Sequence, residues 1–299
     1  MAESEDLAEL LRTPCDWIRW AASQFEQAGL CYGHGTDNAL DEAASLVLQA
    51  LRLPHELPAV YMQATLTLEE RRKILNWIER RRDERLPLPY ITGRAWFCGL
   101  EFAVDERALI PRSPIAELIQ TGFEPWVADA PRRVLDLCTG GGCIAVALAW
   151  LFDEARVDGS DLSPDALALA RKNVERHGLS ERVELLQGDL FSPCAGRRYD
   201  LIVSNPPYVS AEEYAALPRE FSHEPRSALE APNLGLELVL SMLAQAPDYL
   251  NPGGLLVCEV GASAPALMRM RPDLEFAWPD FEHGGDGVFI ISREQLLQN

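Results

Sequence analysis

The sequence lacks the features that mark membrane-spanning, secreted and metal-binding proteins. None of its 299 residues lies in a run approaching about 18 consecutive apolar residues, so no membrane span is expected. The acidic start, MAESEDLAELLR, has no basic-then-apolar pattern and does not resemble a signal peptide. The seven cysteines are scattered and form no CxxC pair, so we expect neither a disulfide framework nor a metal site. A reduced, cytoplasmic protein fits these absences best.

Basic residues are also scarce. The chain has 27 Lys and Arg against 46 Asp and Glu, a formal net charge of −19. This balance argues against broad binding to nucleic-acid phosphates, which needs clustered basic side chains. The negative charge either attracts a basic protein partner through long-range electrostatic fields or only keeps the protein soluble. One basic cluster remains at residues 71–85 (Arg71, Arg72, Lys73, Arg80, Arg81, Arg82 and Arg85). It either lies on a solvated helix face or contacts RNA or an acidic partner.

Residues 1–88 are predicted to form a helical domain. Apolar residues at helical spacing run from Asp6 to Leu30 with a stop at Gly29, and again before Pro54. A third helix begins at Thr67, spaced from Glu70 as in a capping box. Residues 89–111 alternate aromatic and β-branched residues around glycines and predict a β-hairpin linker.

Residues 112–299 alternate between strand-like and helix-like runs, which predicts a mostly parallel sheet covered by helices on both faces. The first strand, RRVLDLC, leads into a glycine-rich turn and the helix GCIAVALAWLF. Glycines allow a backbone to turn tightly and approach a ligand, and a helix N-terminus offers unpaired N–H groups. This turn has neither the GxGxxG spacing of a dinucleotide-binding site nor the sequence of a P-loop, which disfavours a dehydrogenase and a P-loop nucleoside triphosphatase.

Carboxylates close the next two strands at the same edge of the predicted sheet. Asp161 follows the glycines by about 20 residues, where an acidic side chain can accept hydrogen bonds from ribose hydroxyls. Asp189, in GDLF, could accept from an exocyclic amine. The following strand, YDLIVSN, is ended by Pro206 and Pro207, because proline cannot donate to a sheet ladder. The tetrapeptide Asn205–Tyr208 is therefore predicted to be stiff and extended at the ligand-binding edge.

The motifs DLCTGGG, DLSPDAL, GDLF and NPPY together resemble the class I S-adenosylmethionine-dependent methyltransferases. The resemblance implies a Rossmann-like, seven-stranded, mostly parallel sheet, with S-adenosyl-L-methionine as cofactor and S-adenosyl-L-homocysteine as product. It implies that the glycine-rich loop meets the methionine part, Asp161 the ribose and the GDLF region the adenine. Sister enzymes can have an aromatic residue where this chain has Leu190, so adenine stacking is expected either to be weaker here or to be made by Phe191. The implied cofactor-binding residues are Asp136, Cys138, Thr139, Gly140, Gly141, Gly142, Asp161, Leu162, Asp189, Leu190, Phe191 and Asn205.

NPPY marks family members that methylate a planar amino or amide nitrogen, and it implies catalytic roles for Asn205, Pro206, Pro207 and Tyr208. An amide nitrogen is a poor nucleophile, since its lone pair is delocalised into the carbonyl. Two acceptors, the Asn205 oxygen and the Pro206 carbonyl, would aim that lone pair at the methyl group, and Tyr208 would cover the amide face. His223 and Glu224 lie just beyond and either line the pocket or belong to a surface loop.

Four further motifs, YGHGTDN, RAWFCG, IPRSPI and GGDGVF, resemble the PrmB branch of the protein glutamine methyltransferases. That branch methylates a glutamine of protein L-three of the large ribosomal subunit. The sister PrmC branch, which acts on peptide-chain release factors, usually has an acidic-Thr-Glu pattern after its IPR, whereas Ser113-Pro114-Ile115 follows here. A DNA adenine methyltransferase is disfavoured by the negative charge and by the lack of a basic target-recognition domain. A non-catalytic ribosome-assembly module is disfavoured by the intact Asn205, Asp136 and Asp161.

Overall fold

A computed structural model describes residues 7–54, 56–282 and 284–298. The first six residues of the acidic N-terminal stretch considered above therefore lie outside the described residues. The chain forms two compact units. One comprises Met1–Arg94 together with Pro218–His223, and the other comprises Ala95–Leu217 together with Glu224–Asn299. The short segment Pro218–His223 thus belongs with the N-terminal residues, which no sequence pattern predicted.

The first unit is helical, as predicted. Its helices are α1 (Pro14–Ala28), α2 (Ala39–Leu51), α3 (Leu68–Glu79) and the short α4 (Leu88–Thr92). A core of buried side chains that includes Trp17, Phe25, Leu46 and Ile74 joins them. Helix α3 continues as a π-helical turn, Arg80–Glu84, and ends where Arg85 adopts a left-handed conformation.

Helix α1 begins later than the hydrophobic pattern predicted. Residues 7–10 form a separate helical turn, and α1 starts after Thr13 because Pro14 has no N–H to donate and favours the first helical position. Thr13 and Asp16 form a capping box, and Gly29 ends the helix at φ +57°. The predicted capping box of Thr67 and Glu70 is present at the start of α3.

The basic cluster at residues 71–85 is largely used inside the first unit. Arg71 donates to the carbonyls of Leu66 and Ala8, and Lys73 donates to that of Ala50. Arg81 is 1% exposed and forms ion pairs with the buried carboxylates Glu42 (2.5 Å) and Glu220 (3.4 Å). Arg85 donates to the helix-end carbonyls of Ala28 and Gly29. These four side chains therefore form neither a solvated helix face nor an RNA-binding patch.

The second unit begins with a hairpin and continues as an α/β domain. The hairpin strands are β1 (Arg94–Phe97) and β2 (Leu100–Ala103), with Cys98 and Gly99 turning at φ +49° and +76°. Because Leu88–Thr92 is helical, the hairpin is shorter than the predicted span of 89–111. The elements that follow are α5 (Ile115–Gln120), β3 (Arg133–Leu137), α6 (Cys143–Leu151), β4 (Arg156–Asp161), α7 (Pro164–Arg176), β5 (Val183–Gln187), β6 (Tyr199–Ser204), α8 (Ala211–Ala216), α9 (Glu237–Tyr249), β7 (Leu250–Glu259), α10 (Ala264–Met270), β8 (Val288–Ser292) and α11 (Arg293–Leu297).

The sheet has the order β5-β4-β3-β6-β7-β8, in which β8 alone is antiparallel. The described residues give six strands rather than the predicted seven. Where the edge strand beyond β8 would lie, a single bridge joins Ala277 to Ile290, and Pro279 follows shortly, without an N–H to extend a ladder. The strand order reverses between β3 and β6, which places the ends of these two strands at the usual ligand-binding crevice. Among the described residues, no helix has the length and apolarity needed to cross a membrane.

Candidate active site

The loop between β3 and α6 turns through left-handed backbone conformations. Cys138, Gly140 and Gly142 have φ values of +59°, +54° and +80°. An added Cβ at Gly142 would lie 3.1 Å from the Cβ of Ala170, so this glycine lets α6 pack closely against α7. The Asn173 side-chain amide donates to the Gly141 carbonyl at 2.9 Å and fixes the loop from outside.

Asp161 links this loop to the end of β4. Its Oδ2 accepts from the Gly140 N–H and its Oδ1 from the Ser163 N–H, each at 2.8 Å. Burial raises the pKa of Asp161, and these backbone hydrogen bonds oppose the rise. Because a carboxylate has about four lone-pair sites, Asp161 keeps capacity to accept from a ligand.

Asp136 lies behind the loop, with its side chain fully buried. Its Oδ2 accepts from the Thr139 hydroxyl (2.5 Å) and the Ala145 N–H (2.9 Å), whereas Oδ1 is buried without a hydrogen-bond partner. Burial raises the pKa of this carboxyl to about 7, and the nearby charge of Asp161 adds to the rise. A cationic ligand group nearby would favour the ionised form.

The ends of β3, β4, β5 and β6 surround one cavity. The predicted cofactor-binding residues that line it are Cys138, Thr139, Gly140, Gly141, Asp161, Leu162, Asp189, Leu190 and Asn205. Asp136 and Gly142 are not in its lining and support the loop instead. The apolar side of the cavity includes Leu162, Leu190 and Ile144.

Phe191 corrects one expectation about this cavity. Its ring is fully buried and stacks on Tyr249 at 4.5 Å between centroids, so it belongs to the core under the sheet. Leu190, at φ +43°, turns the chain so that Leu190 lines the cavity while the next side chain is directed inward. A leucine rather than an aromatic ring therefore occupies the predicted adenine region.

The tetrapeptide Asn205–Tyr208 follows β6, as the sequence predicted. The Asn205 Nδ2 donates to the Arg112 carbonyl at 3.5 Å, so the side-chain nitrogen is the atom used for support. The Tyr208 hydroxyl donates to Glu259 Oε1 at 2.6 Å. Beyond the tetrapeptide, the Val209 N–H donates to the Leu229 carbonyl, and the Val209 carbonyl accepts from the Ala231 N–H.

A second cavity adjoins the first at this tetrapeptide. Its lining includes Asn205, Pro206, Tyr208, Ser113 and Glu259. Asn205 lines both cavities, whereas Pro207 lines only the first and Pro206 only the second. Arg112 and Ser113 line both cavities as well, so three polar residues can contact a molecule in each.

Sequence reasoning missed the segment Arg107–Ser113, all of which borders the first cavity. Arg112 forms a two-pronged ion pair with Glu224 (2.7 and 2.6 Å), whose Oε1 also accepts from the Ile110 N–H at 2.9 Å. Glu224 thus supports the cavity wall without lining it. Pro111 and Pro114 flank Arg112 and Ser113, and these two prolines already indicate a rigid segment in the sequence.

His223 was considered for the same pocket but belongs to the first unit, where its ring contacts the Glu84 carbonyl at 3.0 Å. The residues just after it, Pro225, Ser227 and Ala228, do line the first cavity. Glu259 was also missed, although it ends a parallel strand in the same way that Asp161 does. Because ligands bind at the carboxyl ends of parallel strands, the position of Glu259 at the end of such a strand was a signal that could have identified it.

The residues present fit an adenosine-bearing, positively charged cofactor. The loop after β3 brings its backbone to the cavity, and Asp161 offers hydrogen-bond acceptors there. Leu162 and Leu190 offer apolar contact for a flat ring. The Asp136 oxygen without a hydrogen-bond partner favours a cation nearby. The second cavity offers an amide side chain and an aromatic ring. Together they can hold two molecules on either side of Asn205.

Comparison with known proteins agrees with this geometry. Residues 123–231 match the family described as "Methyltransferase small domain", and residues 16–93 match "PrmC N-terminal domain". A ribosomal protein uL3 glutamine methyltransferase from Xanthomonas campestris pv. campestris is 51% identical over 97% of this chain and 94% of its own length. The enzyme of the same name from Xylella fastidiosa strain Temecula1 is 52% identical over 97% of this chain and 93% of its own length.

Solved structures show the same fold at low identity. The "hMettl16 catalytic domain in complex with MAT2A 3'UTR hairpin 1" superposes with a TM-score of 0.51 at 17% identity, over 92% of this chain and 90% of that one. A methyltransferase from Pyrococcus furiosus gives 0.50 at 20% identity, over 65% of this chain and 89% of that one. These likenesses establish a class I methyltransferase fold. With relatives at half identity over nearly its whole length, the chain belongs to the family of the ribosomal protein uL3 glutamine methyltransferases.

Proposed function

We propose that this protein transfers a methyl group from S-adenosyl-L-methionine to the side-chain amide nitrogen of a glutamine in ribosomal protein uL3 (protein L-three). The substrate follows the names of the relatives at 51% and 52% identity. A ribosomal protein as substrate supports a cytoplasmic location for the reaction. One observation carries the chemistry, namely that the Asn205 side chain borders both the first cavity and the second cavity beside it.

The first cavity would hold the cofactor. When bound, S-adenosyl-L-methionine supplies an electrophilic methyl group on a sulfonium sulfur. Asp161 would accept from its ribose hydroxyls, and Leu162 and Leu190 would contact its adenine, since these side chains line the cavity. Asp136, buried behind the loop, would contribute negative charge close to the methionine part.

The second cavity would hold the glutamine side chain. Because the Asn205 amide uses Nδ2 to bind the Arg112 carbonyl, its opposite oxygen is available to accept from one substrate N–H. The Pro206 carbonyl would accept from the other, and Pro207 restricts the backbone that presents it. With both N–H bonds held, the nitrogen lone pair, which lies out of the amide plane, would be directed toward the first cavity. Catalysis would then depend on orientation and fixed dipoles, with no base needed before methyl transfer, and the amide nitrogen would lose one proton afterwards.

Charge supports a basic protein as the substrate. A net charge of −19 favours encounter with a basic ribosomal protein and opposes contact with nucleic-acid phosphates. DNA carrying adenine is therefore a weaker candidate. Release factors remain the main alternative, because the amide chemistry would be the same.

A labelled-methyl transfer assay tests the proposal. Purified uL3, a release factor and adenine-containing DNA are offered in parallel, and mass spectrometry locates the modified residue. Label on a glutamine of uL3 alone is expected. Label on the release factor alone would overturn the substrate, and label on DNA would overturn the charge argument.

The Asn205→Ala variant tests the amide clamp in the same assay. We expect turnover to fall roughly 100-fold or more, because the lost acceptor acts on the reacting amide. Cofactor affinity, measured by calorimetry, should change by no more than about threefold, since the other contacts to the cofactor stay. Asn76→Ala, on the exposed face of α3, is the matched control. Full turnover by Asn205→Ala would show that the clamp is not the source of catalysis.

A further inference from the structure

Tyr208 is held by its backbone and by its hydroxyl through different contacts. The Ser263 hydroxyl reaches the Tyr208 carbonyl at 3.3 Å, and Gly235 lies so close that an added Cβ would be 1.8 Å from that carbonyl oxygen. These contacts fix where the side chain begins. They do not fix where the ring points, which depends on what the ring and its hydroxyl meet.

The hydroxyl meets Glu259, the last residue of β7. Strands β6 and β7 are neighbours in the sheet, with Ser204 paired with Cys258, so the residues after each strand emerge side by side. Glu259 Oε1 accepts from the Tyr208 hydroxyl at 2.6 Å. Glu259 Oε2 accepts from the Ser113 hydroxyl at 2.5 Å. One carboxylate therefore joins the catalytic tetrapeptide to the segment before α5.

Burial makes this arrangement selective for a carboxylate. Glu259 is 4% exposed, and a buried charged group needs strong hydrogen bonds. Burial raises the pKa of Glu259, whereas the Ser113 and Tyr208 hydroxyls and the charge of Arg112 lower it. A glutamine in this place has one oxygen, so it can accept normally from only one of the two hydroxyls.

The far side of the ring is closed by backbone. An added Cβ at Gly261 would lie 2.7 Å from the Tyr208 Cε2, so the ring packs directly on this glycine. Gly261 has φ +48°, a conformation that glycine adopts without strain. The ring is thus held between Gly261 and the hydrogen bond to Glu259.

The same segment that carries Ser113 also supports the other end of the tetrapeptide. The Arg112 carbonyl accepts from Asn205 Nδ2, and the Arg112 guanidinium is held by Glu224. Adjacent residues, Arg112 and Ser113, therefore reach Asn205 directly and Tyr208 through Glu259. The two ends of the substrate-binding tetrapeptide are set from one short stretch of chain.

We infer that Glu259 is a positioning residue for the methyl transfer: it orients the Tyr208 ring against the glutamine amide and couples that ring, through Ser113, to the support of Asn205. The inference rests on the proposed function for what occupies the second cavity. Glu259 accepts from two enzyme hydroxyls and takes no proton from the substrate in this role. Its loss leaves the cofactor cavity intact, since Glu259 does not line it.

The test compares Glu259→Gln, Tyr208→Phe and the double variant, with Glu154→Gln on an exposed loop and Tyr61→Phe on an exposed helical turn as controls. Methyl transfer to uL3 gives kcat and KM, and calorimetry gives cofactor affinity. Each single change should lower kcat roughly 10- to 100-fold, the effect of losing a hydrogen bond to a charged group. Cofactor affinity should stay within about threefold, and the double variant should be no worse than the poorer single one.

Three results would overturn the inference. These are a wild-type kcat for Glu259→Gln, additive losses in the double variant, or a fall in cofactor affinity that parallels kcat and so indicates general damage to the fold. A crystal structure of Glu259→Gln gives a reading that needs no substrate. A reoriented Tyr208 ring supports the inference even if uL3 is not the substrate, and an unmoved ring contradicts it. Failure of wild-type protein to methylate uL3 would instead count against the proposed function.

Discussion

The buried Asp136 carboxyl makes a sharp prediction about stability and cofactor binding together. Its pKa is raised from the ordinary 3.8 to about 7, with burial as the main cause. Between these two values the folded protein keeps a proton that the unfolded chain has released. Stability due to this group is therefore complete below about pH 4 and is lost as the pH rises to 7.

The magnitude follows from the size of the shift. Each pH unit inside that window costs about 1.4 kcal/mol, so raising the pH from 5 to 7 costs about 3 kcal/mol. For a unit of about 200 residues this corresponds to roughly 5–10 °C in Tm. Asp136→Asn cannot ionise, and its amide oxygen can still accept from Thr139 and Ala145. The variant should therefore escape this loss.

The assay is thermal unfolding of both proteins at pH 5 and pH 8, with calorimetric titration of the cofactor at pH 8. The Tm of Asp136→Asn, relative to wild type, should rise by roughly 5–10 °C between the two pH values, because other titrating groups cancel in the difference. Cofactor affinity should fall roughly tenfold or more, since the charge that favours a cation is gone. Asp153→Asn, on an exposed loop, is the control.

A Tm difference that does not change with pH would refute the raised pKa of Asp136. An unchanged cofactor affinity would refute the assignment of this carboxylate to a cationic ligand. The two results are independent, so the stability argument and the binding argument can fail separately.

Three further predictions concern the ring, the helical unit and substrate encounter. Gly261→Ala should lower kcat roughly tenfold or more, because the added carbon would displace the Tyr208 ring. The control Gly253→Ala is also at positive φ but has no atom within 4 Å of the added carbon, so it should lower only stability. Equal losses of kcat in the two variants would contradict this packing. Arg81→Ala should destabilise the helical unit by about 3–5 kcal/mol, because two buried glutamates lose their partner. Arg72→Ala, at an exposed position, should leave the stability of the unit unchanged. Equal melting temperatures of the two variants, followed by circular dichroism, would refute this role of Arg81. Raising the salt concentration should lower kcat/KM for uL3 roughly tenfold or more without changing cofactor affinity, and a salt-insensitive rate would remove electrostatic steering.

Local sequence signals predicted the elements that depend on neighbouring residues. The alternation of strands and helices, the glycine-rich turn after β3, and the end of β6 just before Asn205 all follow from periodicity and from the conformations that glycine and proline allow. The cap of α7 is equally local, because the Ser163 hydroxyl accepts from the Ala166 N–H three residues later. The hydrophobic pattern failed where a local exception intervened, as at Pro14, which delays the start of α1.

Tertiary structure alone decided which side chains meet. Glu259 is 51 residues from Tyr208 and 146 from Ser113, and Asn205 is 93 from Arg112, so no spacing in the sequence pairs them. The same holds for Arg81, whose partners Glu42 and Glu220 remove it from any exposed basic surface.

The sequence by itself determined the order of elements and the chemistry available at the strand ends, because both arise from short-range backbone preferences. Whether a side chain at such an end lines a cavity, as Leu190 does, or enters the core, as Phe191 does, depended on packing between distant segments. Burial then set the properties of the groups themselves. Asp136 owes its raised pKa to surroundings that exist only once the chain has folded.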